Sequence, residues 1–507
     1  MSIVENSMIY ALLSALFTWF VGLWRESWLH GVFLRVGDAL RRGVEGSRIC
    51  HILCREGVLE RFWPESRTCR LVMILVNLPC ALVKWVYRKG KTLWDGSFLF
   101  RTVTALGGGG AALVGLTMLV MLSAPHAAWN NVYALLLVVA VAGVYWLGTA
   151  GSDRRLDVDL LGPYFLFFFA FLCIALVSSL AFDLSLRFFL FHLTGVLIVV
   201  LLVSATRTVG QVQGAVAVAA GGVLVSSLYG CYQGIIGVKV VASQQDMTVN
   251  AGMPGRVYSF FDNPNNFAEI LVMLLPLLLA LFLNSESFRG RVFSLICLGV
   301  GVVAIGYTYS RSGWLGLLLA LFLFLAMQNW RVVPVAVVLG VLAVPFLPET
   351  ILNRFLTIGN LQDSSTRYRF AIYEATGNLM KDYWLRGVGL GSDVMTKTFK
   401  SYPTMFDGNH PIHTHNNYLQ MWGELGLFGG ITYIALVFGH LKKGVKAFCA
   451  AENRKVRNLL SAALGSFSGI LLISIAEYTW FYPRNMFVFY FLFGIIAACI
   501  KLTKLEK

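Results

Sequence analysis

An all-α polytopic membrane protein is the fold that this 507-residue sequence predicts, on three observations. Hydrophobic residues make up 57% of it and charged ones 13%, with a mean hydropathy of +0.70, a balance that a chain bathed in water does not keep. Its apolar residues fall in repeated runs, each long enough to cross roughly 30 Å of hydrocarbon as a helix. The runs are continuous and do not alternate, which excludes a membrane barrel; the same runs exclude a soluble enzyme, a disordered chain and a disulfide scaffold.

In order, spans are expected near residues 8–24, 102–123, 130–148, 161–181, 184–203, 212–237, 267–283, 291–309, 312–329, 332–347, 426–440, 458–477 and 485–501. That is about thirteen spans, within a range of 12–14. The first follows Glu5 with no basic leader and no small-residue cleavage signal before Trp24-Arg25, so it reads as a retained span. Residues 25–101 form a basic segment containing Arg41, Arg42, Arg48, Arg67, Arg70, Lys84, Arg88, Lys89 and Lys91. Its apolar stretch Leu71 to Val83 is short, and crossing there would carry the arginines outside, so it is expected to be interfacial or re-entrant. Residues 102–347 are the main bundle, with an external loop at 238–266; residues 348–425 are a large external loop, and 426–507 hold the C-terminal spans.

Lys and Arg number 41 against 26 Asp and Glu, a net charge of +15. Threading thirteen spans puts every basic loop on the cytoplasmic side: 154–155, 289–291, 442–457 and the 501–507 tail. Most of the excess charge is therefore topological, and no nucleic acid is expected as a partner. The nine cysteines sit in apolar runs or the basic segment, so no disulfide is expected. Gly107 to Gly110 lie in a span and suit close helix packing, while Gly90-Lys91-Thr92 lacks the upstream glycine of a phosphate loop.

Both long hydrophilic stretches fall outside, and chemistry is expected there. Tyr373 to Trp384 suits a short helix lying over the membrane. Arginine at outer span ends opposes insertion, yet Arg187, Arg256, Arg311, Arg367, Arg369, Arg386 and Arg484 all fall there. A shared anion would account for them, and several planar guanidiniums match a diphosphate better than a single carboxylate. Arg256 precedes Asp262, Asn263, Asn265 and Asn266 at a helix entrance, where the asparagines are either caps or contacts to sugar or phosphate. Arg311 occupies a polar break between two apolar runs. His410, His413 and His415 crowd six residues. Positions i and i+2 cannot share a helix face and no Cys or Glu completes a tetrahedral set, so no metal site is expected. A neutral imidazole can instead accept a proton from a hydroxyl, and His415, before Asn416 at a helix start, is best placed.

His415-Asn416, nine residues, Gly426, two residues, Gly429 resembles the histidine motif of the O-antigen ligase and polymerase superfamily of bacterial membrane glycosyltransferases, and Arg311 with Leu315 matches its shorter R-x-x-x-L pattern. The resemblance covers roughly residues 200–490; the basic segment 25–101 has no counterpart in the pattern and reads as an insertion with a docking role. The resemblance implies a GT-C-like helical fold in the bacterial inner membrane with its active site on the external face. It implies an undecaprenyl-diphosphate-linked glycan donor, a lipid- or glycan-anchored acceptor, and neither metal nor other cofactor. On this reading Arg256, Arg311 and one of Arg367 or Arg369 clamp the diphosphate. His415 activates the acceptor hydroxyl for one inverting displacement, Asn416, Asn263 and Asn266 contact sugar or acceptor, and His413 is in reserve. Ligation and polymerisation differ in the acceptor, and the sequence leaves both open. A flippase of lipid-linked oligosaccharide would share the span count and basic loops, but would carry ionisable groups at mid-membrane and paired halves. A scaffold would use the basic segment without the outer arginine and histidine set.

Overall fold

The computed structural model describes every residue except 1–7, 48–54, 56, 242–252, 357, 360–363, 405–409 and 507. It is 80% helical, and no strand occurs among the described residues. Residues 1–61 and 62–507 are separate compact units. The first holds α1 (Met8–Glu26) and α2 (Trp28–Gly46), divided at Ser27, whose hydroxyl accepts from the amide of His30 and so caps α2.

The second unit begins with four short helices, α3 (Arg67–Val76), α4 (Leu78–Lys89), α5 (Lys91–Gly96) and α6 (Phe98–Gly108). The main bundle follows as α7 (Gly110–Ser123), α8 (Asn131–Leu147), α9 (Pro163–Val177), α10 (Phe182–Ala205), α11 (Val209–Ile236), α12 (Pro264–Asn284), α13 (Phe288–Tyr307), α14 (Arg311–Asn329) and α15 (Val333–Ala343). Then come α16 (Glu349–Leu356), α17 (Ser364–Tyr383), α18 (Ser392–Phe399), α19 (Asn417–Ala450), α20 (Arg454–Ile473) and α21 (Pro483–Leu505). Side-chain caps set many of the starts: Ser97, Asn130, Asn263, Ser287, Ser310, Asn416 and Asn453 each accept from a first-turn amide, and Thr208 with Gln211 completes a capping box.

Among the described residues, eight helical stretches are long and apolar enough to cross a membrane, and the bent pairs α3–α4 and α6–α7 raise this to ten; α8 and α9 are shorter apolar helices. Several expected boundaries shift. Residues 102–123 do not form one straight span, because the helix bends by 80° at Gly109. The short stretch at 71–83 breaks at Asn77, with a bend of 51°. Helical turns run on from Arg311 to Phe346, yet Tyr309 Oη lies 3.3 Å from Thr350 Oγ1, so the chain reverses after α14 and returns through α15. The span expected from 426 starts earlier, at Asn417, and is broken at Gly426 (φ 74°). The helix expected over 373–384 is the longer α17.

Burial concentrates on α21, α20 and α12, which form the centre. Small residues bring backbones together there: a Cβ on Gly469 would stand 2.5 Å from Gly316 O, and one on Gly115 only 2.4 Å from Ala215 O. Gly107 packs in the same way, its Cβ position 2.7 Å from Gly148 Cα.

Polar contacts sort the helix connections into two ends. At one end Lys501 Nζ donates to Asp157 Oδ2 (2.6 Å), the Asp157 amide to Ser204 Oγ (2.9 Å), Gln328 to Asn458 and Ser461, and Lys455 pairs with Glu286. This basic end collects Arg154, Arg155, Arg207, Arg289, Arg291, Lys442, Lys443 and Arg457. At the other end the Val257 amide donates to Tyr307 O (3.1 Å), the Leu180 amide to Val388 O (3.0 Å) and the Asn417 amide to Ser474 O (2.8 Å).

Candidate active site

At that second end the starts of α12, α14 and α19 meet. Asn265, in the first turn of α12, accepts at Oδ1 from Arg256 Nη2 (2.6 Å) and from Ser310 Oγ (3.0 Å), the cap of α14; its Nδ2 donates to Glu477 Oε1 (3.3 Å). Glu477, in the turn between α20 and α21, also binds Arg369 through Oε1, and its Oε2 lies 3.2 Å from His415 Nδ1, beside the start of α19. Asn416 caps α19 through the amides of Tyr418 and Leu419 and donates from Nδ2 to Ile475 O (2.9 Å). Three helix N-termini, each with a partial positive charge, thus share one cluster.

Positive charge dominates this cluster. Arg256 is buried, donates from Nε to Thr308 O (2.9 Å), and feels the charges of Arg354, Arg311, Arg369 and Glu477. Burial, then Arg354, lower its guanidinium to about 9, which leaves it cationic at neutral pH. Arg354 is buried on α16 and donates to Tyr309 O (3.4 Å). Burial by itself would raise the carboxyl of Glu477, yet Arg369 and His415 hold it down at about 2.

His415 adopts φ 49°, a left-handed backbone that L residues with a Cβ resist. Its amide donates to His413 Nδ1 (3.1 Å), and Tyr373 Oη donates to its carbonyl (3.3 Å). His415 Nδ1 faces the Glu477 carboxylate, which leaves Nε2 as the ring nitrogen directed away from it; in a neutral ring with Nδ1–H donating, that Nε2 would carry the lone pair. His413 packs beneath, its ring 4.1 Å from that of His415 and 4.7 Å from Phe481; burial and then His415 lower it to about 3, so it stays neutral.

The sequence-predicted residues therefore divide. Arg256, Arg311, Arg369, His415 and His413 come together. Arg367 stands exposed two positions before Arg369 on α17, so the two do not share a face. Asn263 is the cap of α12, its oxygen taken by the Asn265 amide (2.8 Å), and Asn416 is the cap of α19; Asn266, half-buried, donates to Asp262 Oδ1 (2.8 Å). Of the remaining outer arginines, Arg187 pairs with Asp393 (3.3 Å), Arg386 lies over the Tyr383 ring, and Arg484 is buried with Nη1 on Met121 O and Ala124 O.

Sequence reasoning missed Arg354, Asn265 as the hub, and Glu477. Arg354 follows a short apolar run, and Glu477 lies at the end of another; a lone carboxylate there was the available signal.

Fold and cluster define a polytopic membrane protein with a cationic, histidine-bearing site at one end of its bundle. A family model described as O-antigen ligase matches residues 293–434, which include Arg311, Arg354, Arg369 and His415. Three proteins provisionally named polysaccharide ligases are similar: one of Rickettsia felis, 26% identical over 29% of this chain and 36% of its own length; one of Rickettsia conorii, 24% over 32% and 39%; and one of Rickettsia prowazekii, 20% over 42% and 53%. The match thus spans between about a third and half of these relatives' length. Residues 293–434 of the chain are thus similar to the O-antigen ligase family.

Proposed function

We propose that this protein transfers or polymerises a surface polysaccharide from an undecaprenyl-diphosphate-linked donor onto a sugar hydroxyl. The observation that carries the reading is the joining of Arg256, Arg311, Arg354 and Arg369 with three helix N-termini around a His415–Glu477 pair. An anion of at least two charges is the ligand such a site favours. In the reaction His415 Nε2 takes the acceptor proton, Glu477 steadies the imidazolium, and the acceptor oxygen attacks the anomeric carbon from the face opposite the diphosphate. The anomeric C–O bond breaks as the new one forms, inverting the centre. The charge that grows on the departing lipid diphosphate falls to the arginines, which are fixed before the reaction and need no reorganisation. Because guanidinium supplies the positive charge, the proposed step needs no metal ion. Arg369 fills the clamp position that sequence left between Arg367 and Arg369, on the strength of its link to Glu477. The similarity of residues 293–434 to an O-antigen ligase model supports this enzyme over a flippase of the same glycan.

Two measurements test it. Purified protein given a lipid-diphosphate oligosaccharide and an acceptor should release free lipid diphosphate, and His415→Ala should slow that release by about 10²–10⁴. Separately, undecaprenyl diphosphate alone should raise the melting temperature of the wild type and much less that of Arg256→Gln. Glycan moved across a bilayer without release of lipid diphosphate would instead establish transport.

A further inference from the structure

Residues 63–113 form a surface that the proposed reaction does not use. Trp63 Nε1 donates to Asp159 O (2.9 Å), Asn77 exchanges two hydrogen bonds with Leu156 (2.7 and 3.0 Å), and Lys84 Nζ donates to Arg154 O (2.8 Å). As a straight helix, the stretch from Trp63 to Lys84 would reach across roughly 30 Å. Instead its two ends and its middle all bond within residues 154–159, so α3 and α4 lie along the basic end and do not cross. Farther on, Gly107 packs on Gly148, and α6 then meets α7 at the 80° bend.

With one face pinned in this way, the other is open. Leu71, Ile74, Leu75, Leu78, Leu82 and Trp85 are each more than half exposed, at spacings that keep them on one side of α3 and α4. Arg67, Arg70, Arg88, Lys89 and Lys91 stand exposed at the two ends of that apolar strip. Residues 58–101 hold eight Lys or Arg against three Asp or Glu. Inside the α6–α7 bend lies an apolar groove of about 730 Å³, lined by Phe98, Ala105, Leu106 and Leu113, with Arg101 on its wall.

We propose that this surface is a binding site for anionic phospholipid in the leaflet against the basic end: the apolar strip enters the acyl region, the flanking cations bind headgroup phosphates, and the groove takes an acyl chain with Arg101 at the headgroup. Three features select lipid over a protein partner. The apolar strip is continuous and flanked by cations of one sign, as an interfacial helix requires. The groove opens at the 80° bend where α6 meets α7. The pinned face holds the open one beside residues 154–159, at the basic end of the bundle.

Photo-crosslinking tests the occupant. Benzoylphenylalanine replaces Leu75 or Leu82 in the full chain, reconstituted in discs of phosphatidylcholine with phosphatidylglycerol, with Leu136, exposed on α8, as the site that must react with lipid. Lipid adducts at 75 and 82 support the proposal; adducts to protein, or none while 136 reacts, overturn it. Headgroup preference is read by mass spectrometry of lipid retained after purification. The wild type should retain phosphatidylglycerol over phosphatidylcholine, and the joint change Arg70→Gln, Arg88→Gln, Lys89→Gln, Lys91→Gln should cut that preference roughly fivefold or more. Arg101→Gln alone should lower retention without changing the adducts at 75 and 82. Equal retention of both lipids by the wild type overturns the anionic assignment.

Discussion

A buried carboxylate set between a guanidinium and an imidazole cannot lose its charge without leaving both partners short. Glu477 is in that position, bonded to Arg369, His415 and Asn265 at once. Glu477→Gln keeps the shape but offers an amide in place of the acceptor that orients Nδ1–H, so His415 is free to present the wrong tautomer. We expect lipid-diphosphate release to fall by up to about 10⁴, as for other carboxylate-oriented histidines, while a folded protein persists in size-exclusion chromatography. The same residue makes stability depend on acid. Its carboxyl sits at about 2 in the fold against an ordinary 4.5, so the unfolded chain binds the proton first and stability drains as pH falls from about 4.5 toward 2. His413 adds a second loss at higher pH, because at about 3 against an ordinary 6.5 it stays neutral in the fold while the unfolded chain protonates below 6.5. Melting temperature should therefore decline from pH 7 to pH 4, and His413→Gln should flatten that decline; an unchanged slope would remove His413 as its cause.

The element that carries the histidine motif shows why part of the site was legible in sequence. His415 and Asn416 were readable because a polar cap must precede the apolar run of α19, whereas Gly426 was readable only as a motif position at the expected start of a span, not as a break inside a longer helix. The structure gives the break its reason: at φ 74° the chain lets the Leu427 amide reach Trp384 O (2.9 Å) and the Gly387 to Gly389 loop pack against Glu424. A Cβ at 426 would stand 2.1 Å from Leu385 O. Gly426→Ala should thus cost at least about 1–2 kcal/mol from backbone strain alone and more from the clash, read as a lowered denaturation midpoint. Illegible elements fail for a different reason. A span reads as apolar whether it is straight or bent, so the 80° turn at Gly109 left no mark beyond a run of glycines. Arg354 and Glu477 each stand apart in sequence from the motif, and they join His415 and Arg256 only when α14 and α15 reverse the chain and α20 brings it back.

Across the whole molecule, alternating connections segregate charge in a way that predicts which side the candidate site should face. The basic end gathers the connections and adjoining helix ends at 154–159, 284–291, 328–333 and 442–455 and the end of α21; the opposite end holds the arginine and histidine cluster. Positively charged short loops stay in the cytoplasm during insertion, so the basic end should be cytoplasmic and the cluster external. A natural probe exists, since Cys449, near the end of α19 at the basic end, is the exposed one of the seven described cysteines. In a background with Cys50→Ser and Cys54→Ser, an impermeant maleimide should leave Cys449 untouched in intact cells and label it after the membrane is opened. Arg367→Cys, exposed on α17, should label in intact cells. The reverse pattern would put the cluster in the cytoplasm, where a donor already carried to the outer leaflet could not reach it, and the transferase reading would then have to be abandoned even if every contact around Glu477 stood.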